Sequence, residues 1–173
     1  MIRKAAAADI DAIAGIYDEI LSAEEAGLGS TGWVRGLYPD RSIPEEALKR
    51  GDLFVLEEDG VIRASAIINH TQPEEYKKAP WEYEADPEHV FVLHTLTVSP
   101  SAYGRGLGRQ FVGFFEDYAR EHGCSELRLD TNERNLPARC LYRKLGYKEI
   151  ALVHTVFNGI RHVGMVIMEK YLG

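Results

Sequence analysis

A strand that hands over to a helix through three glycines constrains this chain more than any other stretch. Val90 to Val98 is a run dominated by apolar residues and reads as a buried strand. Ser99-Pro100-Ser101-Ala102-Tyr103 follows, and then Gly104-Arg105-Gly106-Leu107-Gly108-Arg109. Beyond it Leu107, Phe111, Phe114, Phe115 and Tyr118 recur at helical spacing. The first turn of a helix leaves backbone N–H groups without partners and carries partial positive charge. Glycines let a bulky anion approach that backbone closely. The segment reads as a phosphate cradle; a tight turn with no ligand is the alternative.

Two better-known phosphate loops do not fit. A Walker A loop ends in Gly-Lys-Ser/Thr, and this chain has Gly108-Arg109-Gln110. A dinucleotide fingerprint needs G-x-G-x-x-G. Here the third glycine comes one residue early, and Arg109 stands where it should be.

A second motif lies further on. Asn135-Leu136-Pro137-Ala138-Arg139-Cys140-Leu141-Tyr142-Arg143-Lys144-Leu145-Gly146-Tyr147 reads as a short helix. Asn135 suits the N-cap and Pro137 the first turn. Ala138, Leu141, Tyr142 and Leu145 make an apolar stripe, and Gly146 suits the left-handed position after the last turn. In this order and at this spacing, the two motifs resemble the GCN5-related N-acetyltransferase family. That family joins a Gly-rich pyrophosphate loop after a central strand to Asn-x-x-Ala-x-x-Leu-Tyr-x-x-Leu-Gly-Tyr/Phe. The specific part of the resemblance runs from Val90 to Tyr147.

The resemblance implies an α/β (α+β) fold, one domain over residues 1–173 with a central mixed sheet flanked by helices. It implies that Val90–Val98 and Leu127–Asp130 splay apart and leave backbone free for the pantetheine arm of acetyl-CoA. Cofactor contacts are then expected from Leu96, Thr97 and Val98, from Tyr103 to Arg109, and from Asn135, Ala138 and Tyr142. Within the loop these are Tyr103, Gly104, Arg105, Gly106, Leu107, Gly108 and Arg109. Tyr103 departs from the family, which usually carries Arg or Gln there, and Arg105 and Arg109 are the candidate substitutes. Tyr142 matches the family tyrosine near the cofactor sulfur, where its hydroxyl can donate to the departing thiolate; packing in the core is the other reading. Asn135 can cap its helix, bond the cofactor arm, or both. His94 stands where many members carry a glutamate base. An imidazole can take a proton near neutrality, or His94 is simply a packed strand histidine. Four residues separate it from Val98, so a regular pleat puts both on one face.

Composition narrows the partners. The 173 residues carry a formal net charge of −7, which argues against general nucleic-acid binding. The acidity suits a cationic amine substrate, or is only a solvated surface. Cys124 and Cys140 are the only cysteines, and two without a framework pattern suit a reducing cytosol. Asp9 and Asp11 spoil a signal-peptide core, and no apolar run approaches a membrane span. A cytoplasmic location is the expectation. The six histidines show no metal-ligand spacing such as H-E-x-x-H, so no metal is expected.

The remaining pattern supplies a first strand near Ile2–Ala5, a helix through Ile10, Ile13, Tyr17 and Leu21, and a short helix over Pro44–Arg50. Leu53–Glu58 and Val61–Asn69 are strands about Asp59-Gly60, and Tyr147–Phe157 and Ile160–Tyr171 are strands about Asn158-Gly159. Two connections have the character of an acceptor site. One holds Trp33 and Tyr38 on a glycine-rich backbone; the other, Thr71 to Glu88, holds Tyr76, Trp81 and Tyr83. Alternatively, these aromatics cover the core or form a homodimer contact. The expected activity is direct transfer of an acetyl group from acetyl-CoA to a primary amine of a small molecule or peptide. An O-acyl or longer-chain acyltransferase, or a non-catalytic acyl-CoA sensor, would use the same cradle.

Overall fold

A computed structural model describes residues 1–173. Its strands are β1 (Ile2–Lys4), β2 (Leu53–Glu58), β3 (Val61–Asn69), β4 (Val90–Val98), β5 (Glu126–Asn132), β6 (Lys148–Phe157) and β7 (Ile160–Tyr171). They form one sheet of seven strands in the order β1-β2-β3-β4-β5-β7-β6. Only β4 and β5 run parallel. The helices are α1 (Ile10–Glu25), α2 (Ser42–Arg50), α3 (Leu107–Glu121) and α4 (Leu136–Lys144). No helix is long and apolar enough to cross a membrane.

Local chemistry explains the turns. Asp59 and Gly60 lie at φ 50° and 76°, and so do Asn158 and Gly159. Both pairs have the left-handed geometry of a tight hairpin. Asn135 caps α4 by accepting the Ala138 amide at 3.3 Å. Tyr147 lies just outside β6 and is buried, with its ring edge-on to Tyr142 at 5.8 Å.

The two sheet faces carry separate cores. On one, Phe54, Leu56, Leu93, Leu127 and Leu129 pack with Phe111 and Phe115 of α3 and with Tyr142 of α4. On the other, Ile10, Ile13 and Tyr17 of α1 pack on Leu53, Val55 and Ile67. The connection from Thr71 to Glu88 is not structureless. A short 3₁₀ turn, Glu74–Lys78, carries Tyr76 into a third cluster with Val90, Val92, Met165 and Ile167.

Two irregularities shape the centre of the sheet. β4 meets β5 only from Val90 to Leu93, opposite Glu126 to Leu129. Past that point β4 stays with β3 and β5 with β7, so the strands part as expected. The second was not expected. Thr97 pairs with Ser65 and His94 with Ile67, so β4 carries one extra residue against β3. Thr95 absorbs it at φ 50°, an uncommon conformation for a β-branched residue. The bulge reverses the pleat: Phe91, Leu93, Leu96 and Val98 share the α3 face. His94 therefore faces the opposite side from Val98, not the same side.

Candidate active site

The glycine loop has the cradle's geometry. Gly104 and Gly106 lie at φ 77° and 78°, and no chain atom stands within 4 Å of a Cβ built on either. The first helical bond of α3 runs from the Gln110 amide to the Gly106 oxygen at 3.0 Å. The backbone amides from Gly104 through Arg109 donate to no group in the chain. A row of free N–H groups at the positive end of a long helix is an anion site. Gly108 has another duty, since a Cβ there would come within 3.2 Å of Leu141 Cδ2. It lets α3 approach α4.

The loop's side chains divide. Arg105 is held 2.9 Å from Glu58 at the end of β2. Arg109 is exposed and makes no ion pair, so it is the free cation of the two. Tyr103 is 60% exposed beside the loop.

β4 leads from this cradle to a cleft. The Ser99 amide donates to the Arg63 oxygen at 2.8 Å, on the β3 side. Backbone groups alternate along a strand, so the Leu96 and Val98 amides point the other way, into the gap that β5 has left. Thr97 turns its buried hydroxyl to Ser65 at 2.8 Å. The cleft at the gap encloses about 210 Å³. His94 to Leu96 form one wall and Asp130 to Asn132 another; Asn135, Ala138 and Tyr142 of α4, and the β6–β7 hairpin, complete it.

Trp33 and Tyr38 line the cleft as expected. Their rings meet edge-on at 5.7 Å, and Trp33 meets Tyr17 of α1 at 6.3 Å. Glu24 of α1 anchors this loop by accepting the Thr31 hydroxyl at 2.6 Å and the Gly32 amide at 3.3 Å. The Tyr38 hydroxyl bonds the Thr95 side chain on the bulge. Trp81 and Tyr83, also expected at the acceptor site, do not line the cleft. Arg128 lies 3.7 Å over the Trp81 ring, whose N–H donates to the Tyr76 oxygen at 3.0 Å. Tyr83 stacks on Tyr171 at 4.5 Å. Arg128 and Tyr171 thus hold the two rings outside the cleft.

Besides Tyr38, three titratable groups meet in the cleft. Burial, then the charge of Asp130, pushes the Tyr142 phenol well above its ordinary range. It stays protonated, and its hydroxyl has no partner in the chain. His94 donates from Nε2 to Asn69 Oδ1 at 3.0 Å. That oxygen also accepts the Thr71 amide, while the Asn69 amide nitrogen donates to Asp52, which fixes the side chain's orientation. Burial pushes the imidazole down to about 4, so His94 is neutral near pH 7 and a poor proton acceptor. Asp130 was not anticipated. Its carboxylate accepts the Tyr76 hydroxyl at 2.8 Å, and burial raises it to about 6. The available signal was an acid closing the apolar run Leu127-Arg128-Leu129-Asp130.

A row of free amides at a helix start, a free strand edge and a cleft at parting strands lie together in one site, and sequence comparison supplies the family. The sequence profile of the Acetyltransferase (GNAT) family matches residues 16–147, and the chain belongs to that family. It is 36% identical over 70 residues to the uncharacterized N-acetyltransferase YhfO of Bacillus subtilis, a stretch covering 40% of this chain and 47% of that protein. The chain spans less than half the length of the curated relatives it matches. Among solved structures, a GNAT family acetyltransferase from Streptococcus agalactiae superposes with a TM-score of 0.81 at 26% identity, covering 99% of this chain and 94% of that one. YncA from Salmonella typhimurium, solved with its cofactor acetyl-CoA, superposes with a TM-score of 0.70 at 22% identity over 100% of this chain and 94% of that one.

Proposed function

We propose that the chain transfers an acetyl group from acetyl-CoA directly to a primary amine of a small molecule or peptide, with both substrates bound together. The observation that carries this reading is continuity. The free amides of Gly104 to Arg109 pass into the free edge of β4, which ends at a cleft holding the unpartnered hydroxyl of Tyr142. The cradle suits a pyrophosphate, and the Leu96 and Val98 amides suit an extended arm bearing amide groups. Bound acetyl-CoA supplies an activated acetyl thioester. The chain's own part is to hold it in line with the amine, which by itself can remove much of the barrier.

Tyr142 donates a hydrogen bond, and then its proton, to the departing sulfur. Its raised pKa keeps that proton available across the neutral range. Asn135 keeps the first turn of α4 in place beside the arm, with its Oδ1 occupied by Ala138 and Ser30. Direct transfer fits the cysteines, since neither Cys124 nor Cys140 lines the cleft. Trp33 and Tyr38 offer aromatic faces to the acceptor. The test is calorimetric titration with acetyl-CoA, followed by thiol release with polyamines, amino acids, aminoglycosides and peptides. Binding followed by amine-dependent thiol release is the expected result. Binding without turnover across the panel would mark the chain as a sensor.

A further inference from the structure

The mechanism above leaves the amine's proton without a destination. We propose that Asp130, held by Tyr76, receives the acceptor's ammonium group and takes its proton. This deepens the N-acetyltransferase reading and rests on it.

Asp130 is the only carboxylate lining the cleft, and no lysine or arginine lines it. Along β5, Leu127 and Leu129 face α3, so Asp130 faces the opposite side. Tyr142 belongs to the α3 side. Asp130 and Tyr142 therefore approach from opposite faces of the sheet, and they meet because β4 and β5 have parted between them. An amine entering over Asp130 and a sulfur lying against Tyr142 would sit on opposite sides of one reacting carbonyl.

Asp130 accepts the Tyr76 hydroxyl through Oδ2, while its other oxygen accepts from no group in the chain. Asp130 is half-buried, and its free oxygen is open to the cleft it lines, where an arriving cation can pair with it. Tyr76 is 2% exposed, and Trp81 packs edge-on against it at 5.4 Å. It is a positioning residue, supplied by a connection far away in sequence.

Proton affinity is consistent with the role. The groups facing Asp130 are Tyr76 and Glu75 from the 3₁₀ turn, Tyr142 from α4 and Tyr38 from the loop above. Burial raises the carboxyl, the Tyr76 hydrogen bond lowers it and the negative charge of Glu75 raises it, ending at about 6. It is ionised at neutral pH and more basic than an exposed aspartate. His94 in the same cleft, at about 4, is the weaker acceptor.

The step balances. Asp130 takes one proton from the ammonium and becomes a carboxylic acid. The freed nitrogen lone pair forms a C–N bond to the thioester carbon as the C–S bond breaks. The sulfur leaves with that bond's electron pair and takes the Tyr142 proton. The nitrogen's second proton restores Tyr142, and Asp130 returns its proton to solvent.

Asp130→Asn and Tyr76→Phe test this, with acetyl-CoA and 2-phenylethylamine, spermidine and an alanine-initiated peptide as probes. Asp130→Asn should lower kcat/KM for the amine at least about 100-fold while CoA affinity stays within about twofold of the parent. Tyr76→Phe removes the bond that lowers Asp130, so the acid limb of its kcat/KM profile should move to higher pH. Activity within about threefold of the parent in Asp130→Asn, or an equal loss of CoA binding, overturns the proposal. An unmoved acid limb in Tyr76→Phe also overturns it, and decides the matter if Asp130→Asn does not fold. A parent protein that binds acetyl-CoA yet acetylates none of the probes overturns both readings; an active parent with an equally active Asp130→Asn overturns this one alone.

Discussion

Replacing Gly106 with alanine separates the cradle from the rest of the site. Gly106 sits at φ 78°, ψ 10°, and an added Cβ meets no chain atom within 4 Å. The cost to the fold is therefore local. Holding an L-residue in the left-handed conformation costs about 1–2 kcal/mol, which at this chain length lowers Tm by roughly 2–8 °C. The cost to binding is larger. The new methyl stands in open space on the loop whose amides are free, and an amide bond to a charged phosphate contributes about 1.5–3 kcal/mol. Losing one such contact weakens CoA binding by roughly 10- to 150-fold. Calorimetry with CoA measures this loss, and turnover with acetyl-pantetheine, which lacks the pyrophosphate, supplies the control. CoA affinity should fall while kcat/KM for acetyl-pantetheine holds. Unchanged CoA affinity, or equal losses with both donors, would refute the assignment. Gly108→Ala should differ, because its methyl presses on Leu141 at 3.2 Å and so loosens α3 against α4.

Four further outcomes are expected. Tyr142→Phe should lower kcat by about 100-fold or more with acetyl-CoA affinity unchanged; full activity in steady-state assays would return Tyr142 to the core. His94→Gln should leave the acid limb of the rate profile where it is, because an imidazole pushed down to about 4 is already neutral at pH 6; a shifted limb would restore His94 as the base. Glu126 is fully buried, and burial first, then neighbouring Glu169, raises it to about 8. The folded chain thus holds that proton more tightly than the unfolded one, so this stability is present below the ordinary carboxyl pKa of 4.5 and is lost as pH rises through 8. Between pH 5 and 9 the parent's Tm should fall more steeply than that of Glu126→Gln, and parallel curves would count against it. With one carboxylate and no lysine or arginine lining the cleft, 2-phenylethylamine should be acetylated in preference to phenylalanine, and competition between the two measures the preference.

What the sequence made legible follows from how far each signal reaches. The Asp59-Gly60 and Asn158-Gly159 turns act through their own backbone angles, and both hairpins formed where those residues stand. The Asn135 cap acts over three residues and was equally legible. Trp81 was misread because an aromatic residue in a polar connection is drawn to whichever cation and ring the fold presents. Arg128 and Tyr76 present them away from the residues that line the cleft. The Thr95 bulge is a harder case. Nothing in Leu93-His94-Thr95-Leu96 marks an inserted residue, since glycine or asparagine would be the usual sign of a positive φ. Yet that one residue decides which face every later side chain of β4 takes. It turns Leu96 and Val98 into the α3 core and leaves His94 beside Asn69 on the other face, hydrogen-bonded and neutral. The base position implied by family resemblance therefore holds a group unsuited to the task. Asp130 faces the same cleft from the neighbouring strand, where the unbulged pleat of β5 points it across the gap. His94 and Asp130 thus share one sheet face across the parted strands, and the carboxyl, raised to about 6, holds a proton more readily than the imidazole at about 4.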